Sequence, residues 1–298
     1  IVVLSGWLEN IDKHLDRGTV VSYTTIEPPI FAGHTRPGKI VKDFGLEFDD
    51  VKYAELERFN LETQHLNKDK TINGSAFFMA QHRGIYLGIG GMDNLYNPMF
   101  CEDDDIMFRL HLIGAKLIVS LDSLAYHFVS KTSRFSEEHM NNTREIEYKS
   151  NLNRIRKWGI GVNTSNKQSF DIGFILKNCI PEVLQTLEPF ANNLYVDCEF
   201  ISYINSEQPN TKINLSKKIK PINSVRENDI IVSVGDSTKL TENDIKILTN
   251  IPDFIKDTNP TKGSTFTIGN LSFTIKAINT YQHKFISNNS DFYKDKCI

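Results

Sequence analysis

The order of local signals predicts an α/β protein: a partial mixed sheet with helices over residues 1–160, then a second, smaller α/β domain over 170–298. Three observations predict it. Strand-like runs alternate with helical periodicity, Gly and Pro punctuate the junctions, and the polar stretch "GVNTSNKQS" at 161–169 reads as a linker between two such regions.

Along the first region, Trp7, Leu8, Ile11 and Leu15 recur at helical spacing, and the β-branched run "GTVVSYTTIE" follows as a strand. Pro and Gly between Pro28 and Gly45 mark a long surface or active-site loop, and residues 54–64 read as a short helix. The stretch "GSAFFMAQHRGIYLGIGGMD" reads as a strand, a short helix and a Gly-rich turn. Ile106, Leu110 and Ile113 then mark a helix, with Gly114 placed as its C-terminal cap and "AKLIVSL" as the next strand. A further helix is expected between Ser136 and Gly159, its apolar side built by Ile146, Tyr148, Leu152, Ile155 and Trp158.

In the second region "DIGFILK", "NLYVD" and "DIIVSV" read as strands alternating with helical segments at 181–190 and 241–257. Thr241 and Asp244 have capping-box spacing, and "TFTIGNLSFTI" reads as a hairpin around Gly269–Asn270. Gly235, Asp236 and Ser237 follow a strand, where α/β sheets often bind ligands, but turn chemistry alone explains such residues. This domain is assigned no chemistry.

Composition narrows the function. The chain is 40% hydrophobic and 24% charged, with a net charge of −3, so nothing draws it generally to nucleic acid or an anionic membrane. Cys101, Cys179, Cys198 and Cys297 show neither C-x-x-C spacing nor the density of a disulfide scaffold, which suits free thiols in a cytoplasmic setting. No apolar run has transmembrane length. The start at Ile1 reads as the inside of a longer protein. Seven of the eight histidines precede the linker, so imidazole chemistry is expected in the first region. Nucleotide P-loop, G-x-G-x-x-G, G-x-S-x-G and H-E-x-x-H patterns are all missing from the sequence.

The concentrated chemistry is "CEDDDIMFRL", where Glu102, Asp103, Asp104 and Asp105 open a helix. Carboxylates in a first helical turn are favoured by the dipole, by up to about 1 kcal/mol each, yet four adjacent like charges also repel. A calcium-type loop needs alternating ligands and a central Gly, which this run lacks. A carboxylate at a helix mouth facing a cleft can instead accept a proton from a hydroxyl.

The ordered set "GSAFF", "GIGGMD", "FCEDDDIMFRL", "GAKL" and "AYH", followed by "RKWG", resembles the acceptor-side half of family 2 glycosyltransferases of the GT-A fold, over roughly residues 1–160. Met92, Asn94 and Cys101 depart from the usual residues of that pattern. The resemblance implies an inverting, hexosyltransferase-like enzyme that moves a sugar from a nucleotide-sugar donor to a glycan, protein or lipid-linked hydroxyl. By it, Asp103 would be the general base, and Glu102, Gly74, Ser75, Gly90 and Gly91 would line the acceptor. Asp105 and Arg109 would support the helix as an ion pair, and His127 would help bind Mn²⁺ or Mg²⁺. The D-x-D acids and the nucleotide-binding half would fall upstream of Ile1, so the chain alone would be inactive. Two other readings stay open: a non-catalytic carbohydrate-binding or scaffolding protein, and a metal-dependent phosphoesterase built on the acid run.

Overall fold

The computed structural model describes residues 1–31, 35–129, 136–159 and 170–280, so the expected linker at 161–169 lies outside the described residues, as do His34, His283 and Cys297. Packing divides the described residues into two compact units: one of 1–93 and 102–143, the other of 94–101, 144–159 and 170–280. The helix before Gly159, from Arg144 onward, counts by packing with the second unit.

The first unit contains, in chain order, β1 (Val2–Val3), α1 (Trp7–Asp12), β2 (Thr19–Glu27), β3 (Lys39–Val41), α2 (Tyr53–Asn67), β4 (Thr71–Asn73), β5 (Met79–Gln81), α3 (Arg83–Gly88), α4 (Glu102–Leu112) and β6 (Lys116–Tyr126). These six strands form one mixed sheet, ordered β1-β6-β2-β3, with β4 on β6 and β5 on β2. Strands β3, β2 and β6 run parallel, while β1, β4 and β5 are antiparallel to their neighbours. Parallel strands are covered on both faces, which is why all nine residues of β2 are buried although Ser22, Thr24, Thr25 and Glu27 are polar. Thr24 Oγ1 donates to the Ser120 carbonyl at 2.8 Å, so the hydroxyl is satisfied inside the sheet.

The β2–β6 register breaks once. Tyr23 pairs with Ser120 but Thr24 pairs with Leu124, so residues 121–123 loop out of the ladder. Asp122 fastens this bulge: its carboxylate accepts the Ser120 hydroxyl at 2.7 Å and the Asp69 N–H at 2.7 Å. Its carbonyl accepts Asn10 Nδ2 at 2.6 Å.

The second unit holds α5 (Thr143–Trp158, from Arg144), β7 (Ile172–Leu176), α6 (Pro181–Leu187), β8 (Asn193–Val196), α7 (Ile201–Glu207), α8 (Leu215–Lys218), β9 (Ile219–Pro221), β10 (Ile230–Val234), α9 (Glu242–Leu248), α10 (Ile251–Thr258), β11 (Thr265–Ile268) and β12 (Leu271–Ile275). Its six-stranded sheet runs β11-β12-β10-β7-β8-β9, parallel from β10 to β9 and closed at the other edge by the β11–β12 hairpin. Gly269 at φ +56 makes the hairpin turn, a conformation that suits a residue without Cβ. Phe174, Leu176, Leu194, Val232 and Phe273 pack one face of this sheet, and Ile175, Tyr195 and Ile231 the other. Thr241 and Asp244 form the reciprocal capping box that starts α9. The short elements α7, α8, β4 and β9 carry too few residues to show a period.

Candidate functional site

The acid run opens α4, and its four carboxylates occupy four different environments. Asp105 is fully buried and accepts from Arg109 Nε at 2.8 Å, one turn on. Arg109, also buried, donates through Nη1 to the Ile89 carbonyl at 2.6 Å. Asp104 is exposed, whereas Glu102 and Asp103 are half-buried. Asp103 Oδ1 accepts the Asp104 N–H at 2.9 Å. The chain enters the helix through Phe100 and Cys101, both left-handed at φ +74 and +66, which costs non-Gly residues roughly 1–2 kcal/mol each.

Arg109 therefore ties the acid helix to the Gly-rich turn after α3. Gly90 and Gly91 sit at φ +85 and +68, and the Gly91 N–H reaches the Tyr86 carbonyl at 2.9 Å. A Cβ on Gly91 would meet the Tyr86 ring at 3.3 Å, so close packing and backbone conformation both call for glycine. Ile106 and Leu110 of α4 pack with Val20, Ile89 and Leu117.

Gly74 and Ser75 belong to the segment that crosses the sheet from β4 to β5. Gly74, at φ +148, donates to the Leu117 carbonyl at 3.1 Å, and a Cβ there would strike Pro37 at 2.7 Å. Ala76 is fixed by the Ser22 hydroxyl, which accepts its N–H at 2.9 Å. Phe77 and Phe78 follow, and both rings lie against His127, at 5.2 and 4.9 Å between centres.

His127 stands at the carboxyl edge of the parallel strands, next to a group that sequence reading missed. Its Nδ1 lies 3.0 Å from Oε1 of Glu27, the last residue of β2. Arg36 Nη2 also bonds that carboxylate oxygen, and Lys39 Nζ lies 3.1 Å from Oε2. Burial pushes the Glu27 carboxyl up, but His127, Arg36 and Lys39 together outweigh it and hold the group down at about 2. No local signal marks Glu27, because its partners are supplied by the loop after β2, by β3 and by the chain after β6.

The second unit has a different buried charge cluster. Glu188 accepts Arg156 Nε and Nη2 at 2.9 and 2.6 Å, Lys218 Nζ at 2.7 Å and the Tyr203 hydroxyl at 3.0 Å. Arg156 also donates to Glu207 at 2.8 Å. At the end of β10, Asp236 accepts the Thr238 N–H at 3.2 Å and its hydroxyl at 2.7 Å and pairs with Lys239 at 3.0 Å. Those bonds are turn chemistry, the plainer of the two readings for that loop.

Among the described residues, no group of three or more His, Cys, Asp and Glu side chains is arranged to hold a metal ion. The Glu27 carboxylate lies against His127 Nδ1, an arrangement that favours that nitrogen as the donor between them. Among the described residues no helix is long and apolar enough to cross a membrane.

Fold and site thus define a mixed α/β protein of two packing units, with an acidic helix mouth and a carboxylate–imidazole–guanidinium cluster on one sheet. Compared with known proteins, the chain matches no family model and no curated protein.

Proposed function

We propose that the chain is the acceptor-side half of a GT-A-type, family 2-like glycosyltransferase that passes a sugar from a nucleotide-sugar donor to a hydroxyl acceptor with inversion. The observation that carries this reading is the sorting of the acid run. Asp105 is committed to Arg109, and Arg109 to the Gly90–Gly91 turn through Ile89, which leaves Asp103 as a half-buried carboxylate on an anchored helix mouth.

In this mechanism Asp103 takes the proton of the acceptor hydroxyl as its oxygen attacks the anomeric carbon. The bond from that carbon to the diphosphate oxygen breaks on the opposite face. Glu102 and the loops at Gly74–Ser75 and Gly90–Gly91 orient the acceptor. A bound Mn²⁺ or Mg²⁺ would supply charge neutralisation for the departing diphosphate, and His127, held against Glu27, would contribute a ligand to it.

The test is acceptor-dependent release of nucleoside diphosphate by the full-length protein. Asp103→Asn is expected to lower the rate about 10²–10⁴-fold, the usual size of a general-base contribution. Wild-type rates in that variant would remove Asp103 from the chemistry. Glycan binding by wild type without turnover of any sugar nucleotide, whatever the metal, would favour the scaffolding alternative.

A further inference from the structure

Among the described residues, the Arg36 and Lys39 cations both converge on the single Glu27 carboxylate. Arg36 Nη2 is engaged by Glu27 and by Thr25 Oγ1, while Nη1 is shielded from water and has no hydrogen-bond partner. A buried guanidinium donor without an acceptor is costly, and buried polar groups in folded proteins are nearly always satisfied. The guanidinium lies over the Phe77 ring, 5.2 Å from its centre, so its plane is fixed while its edge is left to hydrogen bonding.

Position and access agree with this convergence. Glu27 ends β2 and His127 follows β6, so the cluster lies at the carboxyl edge of two adjacent parallel strands, with Lys39 added from the start of β3. Open α/β sheets place ligands at the carboxyl ends of such strands. The Arg36 and His127 side chains keep 21% and 16% of their surface exposed, so the cluster is not sealed.

We propose that Arg36 and Lys39 form an oxyanion subsite that takes a phosphoryl group of a nucleotide directly, by charge-assisted hydrogen bonds. Arg36 supplies the planar fork, Lys39 a second charge, and Glu27 holds both cations until an anion competes for them. The assignment of that anion to the departing diphosphate rests on the transferase reading. The anion binding itself does not.

Equilibrium binding to the whole chain in EDTA tests it, with inorganic pyrophosphate, UDP, GDP and the parent nucleosides as probes. Pyrophosphate and both diphosphates are expected to bind and the nucleosides not to. Arg36→Ala should weaken anion binding at least tenfold, and Arg36→Lys should fall between it and wild type. Glu27→Gln removes the competing carboxylate and should bind pyrophosphate more tightly than wild type, an effect that a purely structural role for the cluster would not produce. Thermal melts confirm that each variant is folded. No anion binding by wild type at millimolar concentration, or equal binding by folded Arg36→Ala and Lys39→Ala, overturns the proposal. Tighter binding of UDP and GDP than of pyrophosphate would identify a nucleotide as the source, and equal binding a free phosphate. If anions obey Arg36 while Asp103→Asn keeps full transfer, the subsite stands and the transferase reading falls. The reverse pattern separates them the other way.

Discussion

Glu27 and Glu188 are both carboxylates taken out of water, both held charged by an arginine and a lysine, and both kept near a pKa of about 2. Their surroundings differ in two respects. Around Glu188 the charges balance, two acids against Arg156 and Lys218, and Arg156 and Lys218 are only 1% and 6% exposed. Around Glu27, among the described residues, Arg36 and Lys39 meet one carboxylate and part of the cluster meets solvent. The same pairing chemistry thus gives a closed staple between helices in one place and an unsaturated edge in the other.

The largest expected effect comes from breaking the closed cluster. Glu188→Gln leaves Arg156 and Lys218 buried with only Glu207 beside them and should cost about 3–5 kcal/mol in urea unfolding. A loss below about 1 kcal/mol would mean that these cations reach water and that the contrast with Glu27 fails.

Acid comes next. The folded Glu188 carboxyl is lowered from 4.5 to about 2: burial acts to raise it, and Lys218 and Arg156 outweigh that. Its contribution is therefore complete above the unfolded value of 4.5 and disappears as pH falls through 2. For a group this buried, that contribution is about 3 kcal/mol. Unfolding free energy measured between pH 5 and 2 should fall, and Glu188→Gln should flatten that fall.

The smallest effect is expected at the open cluster. Glu27→Gln should cost about 1–3 kcal/mol, because Arg36 can turn its charge toward solvent. Equal losses at both glutamates, measured in the same denaturant series, would erase the distinction.

Much of the local structure was legible because its cause is local. The α4 start, the Gly114 stop at φ +75, the Thr241–Asp244 capping box and the Gly269–Asn270 hairpin each need only neighbouring residues. The Asp105–Arg109 pair was legible for the same reason, as one helical turn separates them. Glu27 was not, since it lies 100 residues from His127, and neither was Glu188, 32 residues from Arg156. Nothing in the composition of a strand end or a Pro-rich loop announces such partners. Packing brought them together, and periodicity does not report packing across the chain.

The looped-out residues 121–123 have a consequence for the position of His127. The β6 chain reaches Glu27 only after its ladder resumes at Leu124, with Tyr126 opposite Ile26 and the His127 N–H on the Ile26 carbonyl at 2.9 Å. The bulge therefore serves as a ruler. With one residue fewer looped out, Tyr126 would arrive beside Glu27 in place of the imidazole; with one more, Phe128 would. Asp122, anchored from three sides, is what keeps that count.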